Sequence, residues 1–273
     1  MKNIRVITLE HISLGELTDI WNRCWHGYYY DMTYTPEHIR VWLRLSQVSL
    51  QHSIAIMVED QIAGFALLSL HENDGWIAGA CIDPNYRRKG LFTPLMHSQL
   101  NAASCLGLKR VYLEVLEQNH AHKVYQSVGF TRVRQLNIYR TQHGINSPLF
   151  RKVKALSLDT VPPEQYFENR RHAFFNPAWQ RREGYLKRYG HTVAVMNLAG
   201  TAGALFVGDK NAPCLDAWSA TEVGAEEVIS SILGRSNIAF SLTNQPEDWI
   251  VAFLSAYGIL PSAKQFEMCI ELT

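Results

Sequence analysis

The chain has 273 residues and an almost even balance of charge, with 26 Lys and Arg against 25 Asp and Glu and a formal net charge of +1. This balance excludes nucleic-acid binding by bulk positive charge, so we expect no nucleic-acid partner. The hydrophobic fraction of 47% and the charged fraction of 19% exclude an intrinsically disordered chain. Domains average roughly 100 to 200 residues, so the length favours two domains over one.

The cysteine pattern and the hydrophobic pattern predict a cytoplasmic protein. The five cysteines are odd in number and scattered, and they form no Cys-x-x-Cys pair that could hold zinc, which favours a reducing compartment. Glu10 and His11 interrupt the first apolar run before it reaches the length of a signal peptide. The most apolar stretch, residues 192–208, is short for a membrane span and contains Asn197 and three glycines. We therefore expect no membrane partner, and two buried strands around a turn at residues 192–208.

Taken in chain order, the first half alternates between two hydrophobic periodicities. Period-two runs predict six strands, at residues 4–9, 53–59, 62–70, 76–82, 110–116 and 132–140. Apolar stripes with helical spacing predict four helices, through residues 14–21, 39–45, 96–103 and 121–128. The order is strand, two helices, three strands, helix, strand, helix, strand. This order predicts a mixed α/β or α+β layered architecture rather than a barrel.

The second half of the chain repeats part of the first. Residues 192–207 align without a gap with residues 53–68, so that the segment VAVM beginning at Val193 lies over IAIM beginning at Ile54. A second echo pairs YQSVGF beginning at Tyr125 with LSAYGI beginning at Leu254. Between these landmarks the second copy is shorter. We place the boundary near residue 148, which predicts domains at 1–148 and 149–273.

The segment CIDPNYRRKGLFTPLM, residues 81–96, carries the clearest chemical signal. It runs from the end of a predicted strand through a basic turn with one glycine into a predicted helix. Free backbone N–H groups and the positive end of a helix dipole attract an anion there, and Arg87, Arg88 and Lys89 add charge. Neither a nucleoside-triphosphate loop nor a dinucleotide fingerprint is present. A phosphate site is predicted, and the alternative is a solvated basic turn.

These residues resemble the GNAT superfamily of acyl-CoA-dependent N-acetyltransferases. The family signature is Arg/Gln-x-x-Gly-x-Gly/Ala between the fourth strand and the third helix, and the chain matches it at Arg87 and Gly90 but has Phe92 at the last position. Asn119 and Tyr125 follow at family-like spacing. The resemblance covers residues 1 to about 141, and the rest resembles a second, degenerate GNAT copy. It implies an α+β fold with a central, mostly antiparallel sheet flanked by helices, followed by a second, smaller GNAT-like domain.

The resemblance also implies roles for individual residues. Backbone N–H groups of the loop would bind the CoA pyrophosphate, and the N–H near Ile82 would polarise the thioester carbonyl. Tyr125 would protonate the departing thiolate as general acid, although a tyrosine on an apolar helical face is also an ordinary core residue. No metal is implied. The residues implied in acetyl-CoA binding are Cys81, Ile82, Arg87, Arg88, Lys89, Gly90, Leu91, Phe92, Thr93 and Asn119.

Several assignments stay open. Glu72, Asp74 and Glu114 are candidates for the base that deprotonates the acceptor amine, with a water relay as the alternative. Residues 21–36 hold two Trp and four Tyr around Asp31, and they form either an aromatic cage for a cationic amine or part of the core. Cys81 is expected to be a buried apolar residue rather than a nucleophile. A second basic cluster, which includes Arg170 and Arg181, is expected to be a solvated face.

The second copy lacks the phosphate loop. Residues 212–233 carry Glu222, Glu226 and Glu227 instead, and Leu254 stands at the position of Tyr125. We therefore predict one active site, in the N-terminal domain, that transfers acetyl from acetyl-CoA to a primary amine of a small molecule or peptide by direct attack. The alternative is a non-catalytic acyl-CoA-binding regulatory module. A monomer and a homodimer are both compatible with the sequence.

Overall fold

A computed structural model describes residues 3–140, 158–173, 176–208, 214–233 and 241–272. The chain folds into two compact units, of which the first is Met1–Val133 with Glu267–Thr273 and the second is Arg134–Phe266. The boundary that we predict near residue 148 lies outside the described residues. The last residues of the chain, Glu267–Thr273, therefore belong to the first unit. No pattern in the sequence indicated this.

The first unit contains all of the elements predicted for the first half of the chain. They are β1 (Ile4–Thr8), α1 (Leu14–Trp25), α2 (Pro36–Ser46), β2 (Ile54–Val58), β3 (Gln61–His71), β4 (Asp74–Ile82), α3 (Phe92–Cys105), β5 (Arg110–Leu116), α4 (Ala121–Ser127) and the first residues of β6 (Thr131–Arg140). The six strands, the four helices and their order are confirmed, and the bounds differ by only a few residues.

The second unit repeats this order in a shorter form. After the remainder of β6 it contains β7 (Asp159–Val161), α5 (Pro163–His172), α6 (Glu183–Leu186), β8 (Thr192–Met196), β9 (Ala202–Val207), β10 (Cys214–Ser219), α7 (Glu222–Leu233), β11 (Ser241–Pro246), α8 (Trp249–Ala256) and the first residues of β12 (Ala263–Glu271). The two buried strands predicted for residues 192–208 are confirmed as β8 and β9. Within the described ranges, no helix is long and apolar enough to cross a membrane.

The sheet of the first unit is mostly antiparallel. Strands β1 to β4 pair antiparallel in chain order, and β5 joins the edge of β4 in parallel. The C-terminal end of the chain lies on the other side of β5, where the Leu272 N–H donates to the Lys109 carbonyl at 2.8 Å. The Thr131 hydroxyl then donates to the Cys269 carbonyl at 3.2 Å. The predicted fold class, a mostly antiparallel central sheet flanked by helices, is confirmed.

Helix α1 shows how local sequence sets an element and its packing. The Ser13 side chain accepts from the Glu16 N–H at 3.2 Å, and together they form a Ser-x-x-Glu start signal. The stripe of Leu17, Ile20 and Trp21 is then buried against the sheet. Full burial of each large apolar side chain contributes about 1.5–3 kcal/mol. This packing fixes the C-terminal end of α1 beside the end of β4.

The second unit has its own sheet, in the order β10-β9-β8-β7, and the later part of β6 pairs antiparallel with β11. Its core contains a buried ion cluster. Asp216 is fully buried and lies 2.5 Å from Nη2 of Arg181 and 2.9 Å from Nε of Arg170, and it accepts from the Tyr166 hydroxyl at 2.7 Å. Our expectation that Arg170 and Arg181 lie on a solvated face is wrong, because a carboxylate from a distant strand pairs with both.

Candidate active site

Strands β4 and β5 pair at one end and then separate. The pairs are Asp74 with Arg110, Gly75 with Val111 and Trp76 with Tyr112, and these two fully described strands form no pair beyond them. A bulge in β4 accompanies the separation, because Leu68 pairs with Ile77 and Leu67 with Gly79. The unpaired backbone N–H and C=O groups along the separated edges need partners. The resulting gap can bind an extended ligand as an additional strand would be bound.

The end of β4 directs a backbone donor into this gap. The Asp83 N–H donates to the Ala63 carbonyl of the β3 side at 2.9 Å. Because successive N–H groups of a strand point to opposite edges, the Ile82 N–H points away from β3, toward the gap. Ile82 itself is buried, so this donor lies in a water-poor environment.

The loop between β4 and α3 has the backbone geometry of an anion site. After a short 3-10 turn at Pro84–Tyr86, Arg88 and Gly90 both adopt left-handed conformations, with φ of +61° and +73°. When left-handed residues alternate with other conformations along a loop, successive backbone N–H groups turn toward a common point. The N-cap residue of α3 is Leu91. In this loop, which the structure describes in full, no side-chain hydrogen bond caps the helix. The first N–H groups of α3 are therefore available to a phosphate.

The three basic residues of the loop have different roles. Arg87 turns inward, where its Nε donates to the Ile82 carbonyl and its Nη2 to the Cys24 carbonyl, both at 3.0 Å. Lys89 donates to the Asn85 carbonyl at 2.7 Å. Within the described residues, the charged groups of Arg87 and Lys89 thus donate to backbone carbonyls, whereas that of Arg88 does not. Arg87 therefore holds the loop against the end of α1, while Arg88 is available to an external anion.

Tyr125 lies buried beside the loop, and its surroundings keep its proton in place. The ring packs edge-on against Phe92 and Phe130, at centroid distances of 5.4 and 5.8 Å. Burial raises the pKa of the Tyr125 phenol well above its usual range, and the neighbouring Tyr28 and Cys81 raise it further. The phenol therefore remains protonated at neutral pH. Phe92, the residue that departs from the family signature, forms part of the wall around it.

Asn119 connects α4 with the aromatic segment that follows α1. Its Oδ1 accepts from the Ala121 N–H at 2.9 Å at the start of α4. Burial raises the pKa of the Tyr28 phenol, and the Asn119 side chain partly opposes the rise. The Tyr28 ring packs edge-on against Trp25 at a centroid distance of 4.6 Å. Sequence reasoning did not single it out, although it lies in the noted aromatic segment.

The geometry distinguishes among the three candidate bases. Asp74 pairs with Arg110 at 2.9 Å at the start of β4, and Glu72 lies in the turn before that strand, with φ of +54°. Both are at the opposite end of β4 from the loop. Glu114 is two residues beyond the last paired residue of β5, and it accepts from Nε1 of Trp76 at 2.5 Å. Of the three, Glu114 lies where the strands separate.

The aromatic segment divides between core and cavity. Trp21 is buried and stacks on Tyr34 and Phe65, at centroid distances of 5.5 and 5.9 Å. The residues after it form a cavity of about 220 Å³ lined by residues 22 and 25–33. Both interpretations of this segment therefore apply, each to a different part of it.

One residue that lines the cavity contacts the chain just after β5. The Tyr29 hydroxyl donates to the Gln118 carbonyl at 3.1 Å, directly before Asn119. Asp31 at the cavity rim accepts from the Thr33 N–H at 2.9 Å, and hydrogen bonding with Thr33 lowers the pKa of this carboxyl. The carboxylate therefore stays ionised and can attract a cation.

The second unit has no equivalent of the phosphate loop in its described residues. Only residues 220–221 connect β10 to α7, whereas residues 83–91 connect β4 to α3. Thr221 Oγ1 accepts from the Gly224 N–H at 3.0 Å, so the helix start is satisfied by its own chain. Leu254, at the position of Tyr125, is fully buried in α8.

Comparison with known proteins gives the family of the first unit. The profile of the Acetyltransferase (GNAT) family matches residues 14–130, which include the gap, the loop and Tyr125. Residues 14–130 belong to the GNAT acetyltransferase family. This GNAT domain is 26% identical over 94 residues to the ribosomal protein bS18-alanine N-acetyltransferase of Salmonella typhimurium. The match covers 34% of this chain and 64% of the relative, which is less than two thirds of its length.

Solved structures extend the likeness beyond the GNAT domain. A tandem GNAT protein from the clavulanic acid biosynthesis pathway superposes with a TM-score of 0.65 at 14% identity, covering 98% of each chain. A GCN5-related N-acetyltransferase from Sphaerobacter thermophilus gives 0.65 at 12% identity, covering 98% of this chain and 95% of its own. At these identities the likeness shows the fold alone. The likeness in fold therefore extends over both units of this chain.

Proposed function

We propose that the protein is an N-acetyltransferase that transfers acetyl from acetyl-CoA to a primary amine, with one active site, in its GNAT domain. The observation that carries the proposal is the separation of β4 from β5 beyond Trp76 and Tyr112, with the loop of residues 83–91 after β4 and the buried Tyr125 packed on Phe92 at the start of α3. Family membership supports acetyl transfer, and the loop geometry supports a pyrophosphate-bearing donor. The capped start of α7 supports the restriction to one site.

The donor would be held largely by backbone groups. N–H groups of residues 88–93 bind the pyrophosphate, and the exposed Arg88 guanidinium adds charge. The free edge of β4 at Cys81 and Ile82 bonds the pantetheine arm, with Asn119 on the facing side. Lys89 contributes positive potential, while Leu91, Phe92 and Thr93 contribute the first turn of α3.

The chemistry follows from three groups around the thioester. Glu114 takes a proton from the acceptor amine, whose nitrogen then forms a bond to the thioester carbon. The Ile82 N–H stabilises the oxyanion of the tetrahedral intermediate. When the carbon–sulfur bond breaks, the thiolate takes the proton of Tyr125. The raised pKa of Tyr125 suits this role, because the phenol keeps its proton until a basic thiolate forms.

The cavity lined by residues 25–33 is the proposed entrance for the acceptor amine. Its aromatic walls and the ionised Asp31 favour a cationic molecule over an anionic one. The Salmonella relative acts on an alanine of a ribosomal protein, so a peptide with a free amino terminus is one acceptor to test. A small amine that fits the cavity is the other.

Calorimetry with acetyl-CoA tests the donor site first. We expect one equivalent to bind the intact protein and binding to weaken in an Arg88→Ala variant. Release of CoA thiol is then measured with an alanine-headed peptide, spermidine and lysine as acceptors. Absence of acetyl-CoA binding would refute the proposal, and two equivalents would refute the restriction to one site.

The alternative is a regulatory module that binds acyl-CoA without turnover. Tyr125→Phe and Glu114→Gln distinguish the two. In an enzyme, removal of a general acid or base lowers kcat by roughly 10²–10⁴-fold while acetyl-CoA affinity changes little. If neither variant alters a measured turnover, the assigned proton-transfer roles are wrong, and if no acceptor supports turnover in the intact protein, the regulatory alternative is preferred.

A further inference from the structure

The side chains of Trp76 and Glu114 meet where β4 and β5 separate. Trp76 pairs with Tyr112 in the last pair between the two strands, and Glu114 is two residues further along β5. Since side chains alternate between the faces of a strand, these three residues share one face of the sheet. Nε1 of Trp76 donates to Oε2 of Glu114 at 2.5 Å, and Trp76 is only 3% exposed. The Glu114 carboxylate therefore has a buried donor from the neighbouring strand.

This face of the sheet is the one that α1 covers. Trp76 pairs with Ser69 of β3, which shares its face with Leu67, and Leu67 is buried in one cluster with the apolar stripe of α1. Gly79 pairs with Leu67, and a Cβ added to Gly79 would lie 3.8 Å from the Trp25 ring. Trp25 also lines the cavity that we assign to the acceptor amine. The Trp76 indole and the proposed acceptor cavity therefore lie on the same side of the sheet.

We propose that Trp76 is a positioning residue for the proton transfer: its indole N–H holds the Glu114 carboxylate in the orientation in which it takes a proton from the acceptor amine. The inference rests on the proposed function, in which Glu114 is the base. It gives Trp76 a role through the carboxylate rather than through contact with the acceptor or acetyl-CoA.

The backbone pairing explains why this position needs support from a side chain. Trp76 is paired on both sides, with Ser69 of β3 and Tyr112 of β5, so its indole is attached to a fixed backbone. Glu114 lies beyond the last pair with β4, and its side chain has rotamer freedom that costs free energy to restrict. A hydrogen bond to an ionised acceptor is roughly twice as strong as one between neutral groups. The bond from Trp76 thus restricts the carboxylate before the acceptor arrives.

The indole takes no part in the bond changes. The amine nitrogen loses its proton to the Glu114 carboxylate and uses its electron pair to form the bond to the thioester carbon. An indole N–H is a donor only, so Trp76 keeps its proton throughout. Because the hydrogen bond favours the ionised carboxylate, it also extends the range in which the base is ready toward lower pH. Loss of the bond should therefore change both the rate and the pH profile.

Trp76→Phe removes the donor and keeps an aromatic ring in the buried site. We expect kcat to fall about tenfold, because a carboxylate that is not held in one orientation is less often placed for reaction. Acetyl-CoA affinity should stay unchanged, and the acidic limb of the pH profile of kcat/KM should move to higher pH. In Glu114→Gln the same substitution should alter kcat less than about twofold, since no base remains to be oriented. A purely structural role would lower kcat equally in both backgrounds.

Trp218→Phe is the matched control. Trp218 is 1% exposed in the second unit, and its Nε1 has no hydrogen-bond partner among the residues that the structure describes. The substitution therefore removes a buried indole N–H without breaking a hydrogen bond. It should leave kcat and the pH profile unchanged.

The indole N–H signal of Trp76 gives a readout that needs no turnover. In a ¹H–¹⁵N NMR spectrum of the full chain, it is the indole signal that Trp76→Phe removes. It should shift as the pH is lowered through the titration of Glu114, and this dependence should be lost in Glu114→Gln. A signal that does not respond to Glu114 would overturn the contact. Unchanged kcat in Trp76→Phe, or equal losses in both backgrounds, would overturn the positioning role.

Failure of the proposed function has a different signature. Absence of acetyl-CoA binding, or of turnover with every acceptor, in the intact protein would refute that function. The NMR titration would still decide whether the Trp76 indole holds the Glu114 carboxylate.

Discussion

Replacement of Gly90 by Ala isolates the contribution of backbone conformation to the phosphate loop. Gly90 has φ of +73°, and a Cβ added there would meet no atom within 4 Å. The substitution therefore introduces no clash, and its effect comes only from the left-handed conformation. That conformation costs an L-residue roughly 1–2 kcal/mol.

The expected effect on binding follows from this cost. If the loop relaxes to relieve the strain, its N–H groups no longer point to one site, and acetyl-CoA must restore the strained form on binding. A penalty of roughly 1–2 kcal/mol corresponds to an affinity lower by about 5- to 30-fold. Calorimetric titration of Gly90→Ala with acetyl-CoA measures it directly.

Gly107 provides a matched control at the other end of α3. Its φ is +75°, and a Cβ there would also meet nothing within 4 Å. Gly107→Ala introduces the same left-handed backbone cost of roughly 1–2 kcal/mol, but it should leave acetyl-CoA affinity unchanged. Equal acetyl-CoA affinity in the two variants would refute the role assigned to the loop backbone.

Three further predictions concern stability. Asp216→Asn should destabilise the protein by about 3–5 kcal/mol in chemical denaturation, because Arg170 and Arg181 would remain buried without their shared carboxylate; a loss below about 1 kcal/mol would contradict this. Burial raises the pKa of Asp248 from 3.8 to about 6, so its ionisation opposes folding increasingly from about pH 4 to pH 7. Asp248→Asn should therefore gain stability over the wild type across this range, by on the order of 3 kcal/mol at pH 7 and almost nothing at about pH 3.5; a difference independent of pH would exclude the assignment. Gly64→Ala should lower the melting temperature, because its Cβ would lie 2.6 Å from a carbonyl of β4, and an unchanged melting temperature would show that the strands can shift apart.

Much of the first unit could be predicted because its signals are local. Alternation and helical spacing depend on neighbouring residues, so the strands and helices from Ile4 to Arg140 could be assigned without knowledge of their partners. The loop between β4 and α3 could be located for the same reason, since the turn, the glycine and the following helix are contiguous. The GNAT resemblance depends on this contiguous segment.

Tertiary structure decided which side chains the site can use. Arg87, Arg88 and Lys89 are neighbouring basic residues in the sequence, but only folding brings the Ile82 and Cys24 carbonyls to the Arg87 guanidinium. The choice of Glu114 among the candidate bases depends on where β5 leaves β4, which no local pattern encodes.

The same distinction explains what the sequence analysis missed. The return of the last residues to the first unit, the buried partner of Arg170 and the contact between Cys24 and Cys81 all join segments far apart in the chain. Local sequence determined the strands, the helices and the loop between β4 and α3, because hydrophobic period and turn chemistry act over a few residues. Packing between distant segments decided the charge partners and the surroundings of the candidate catalytic groups.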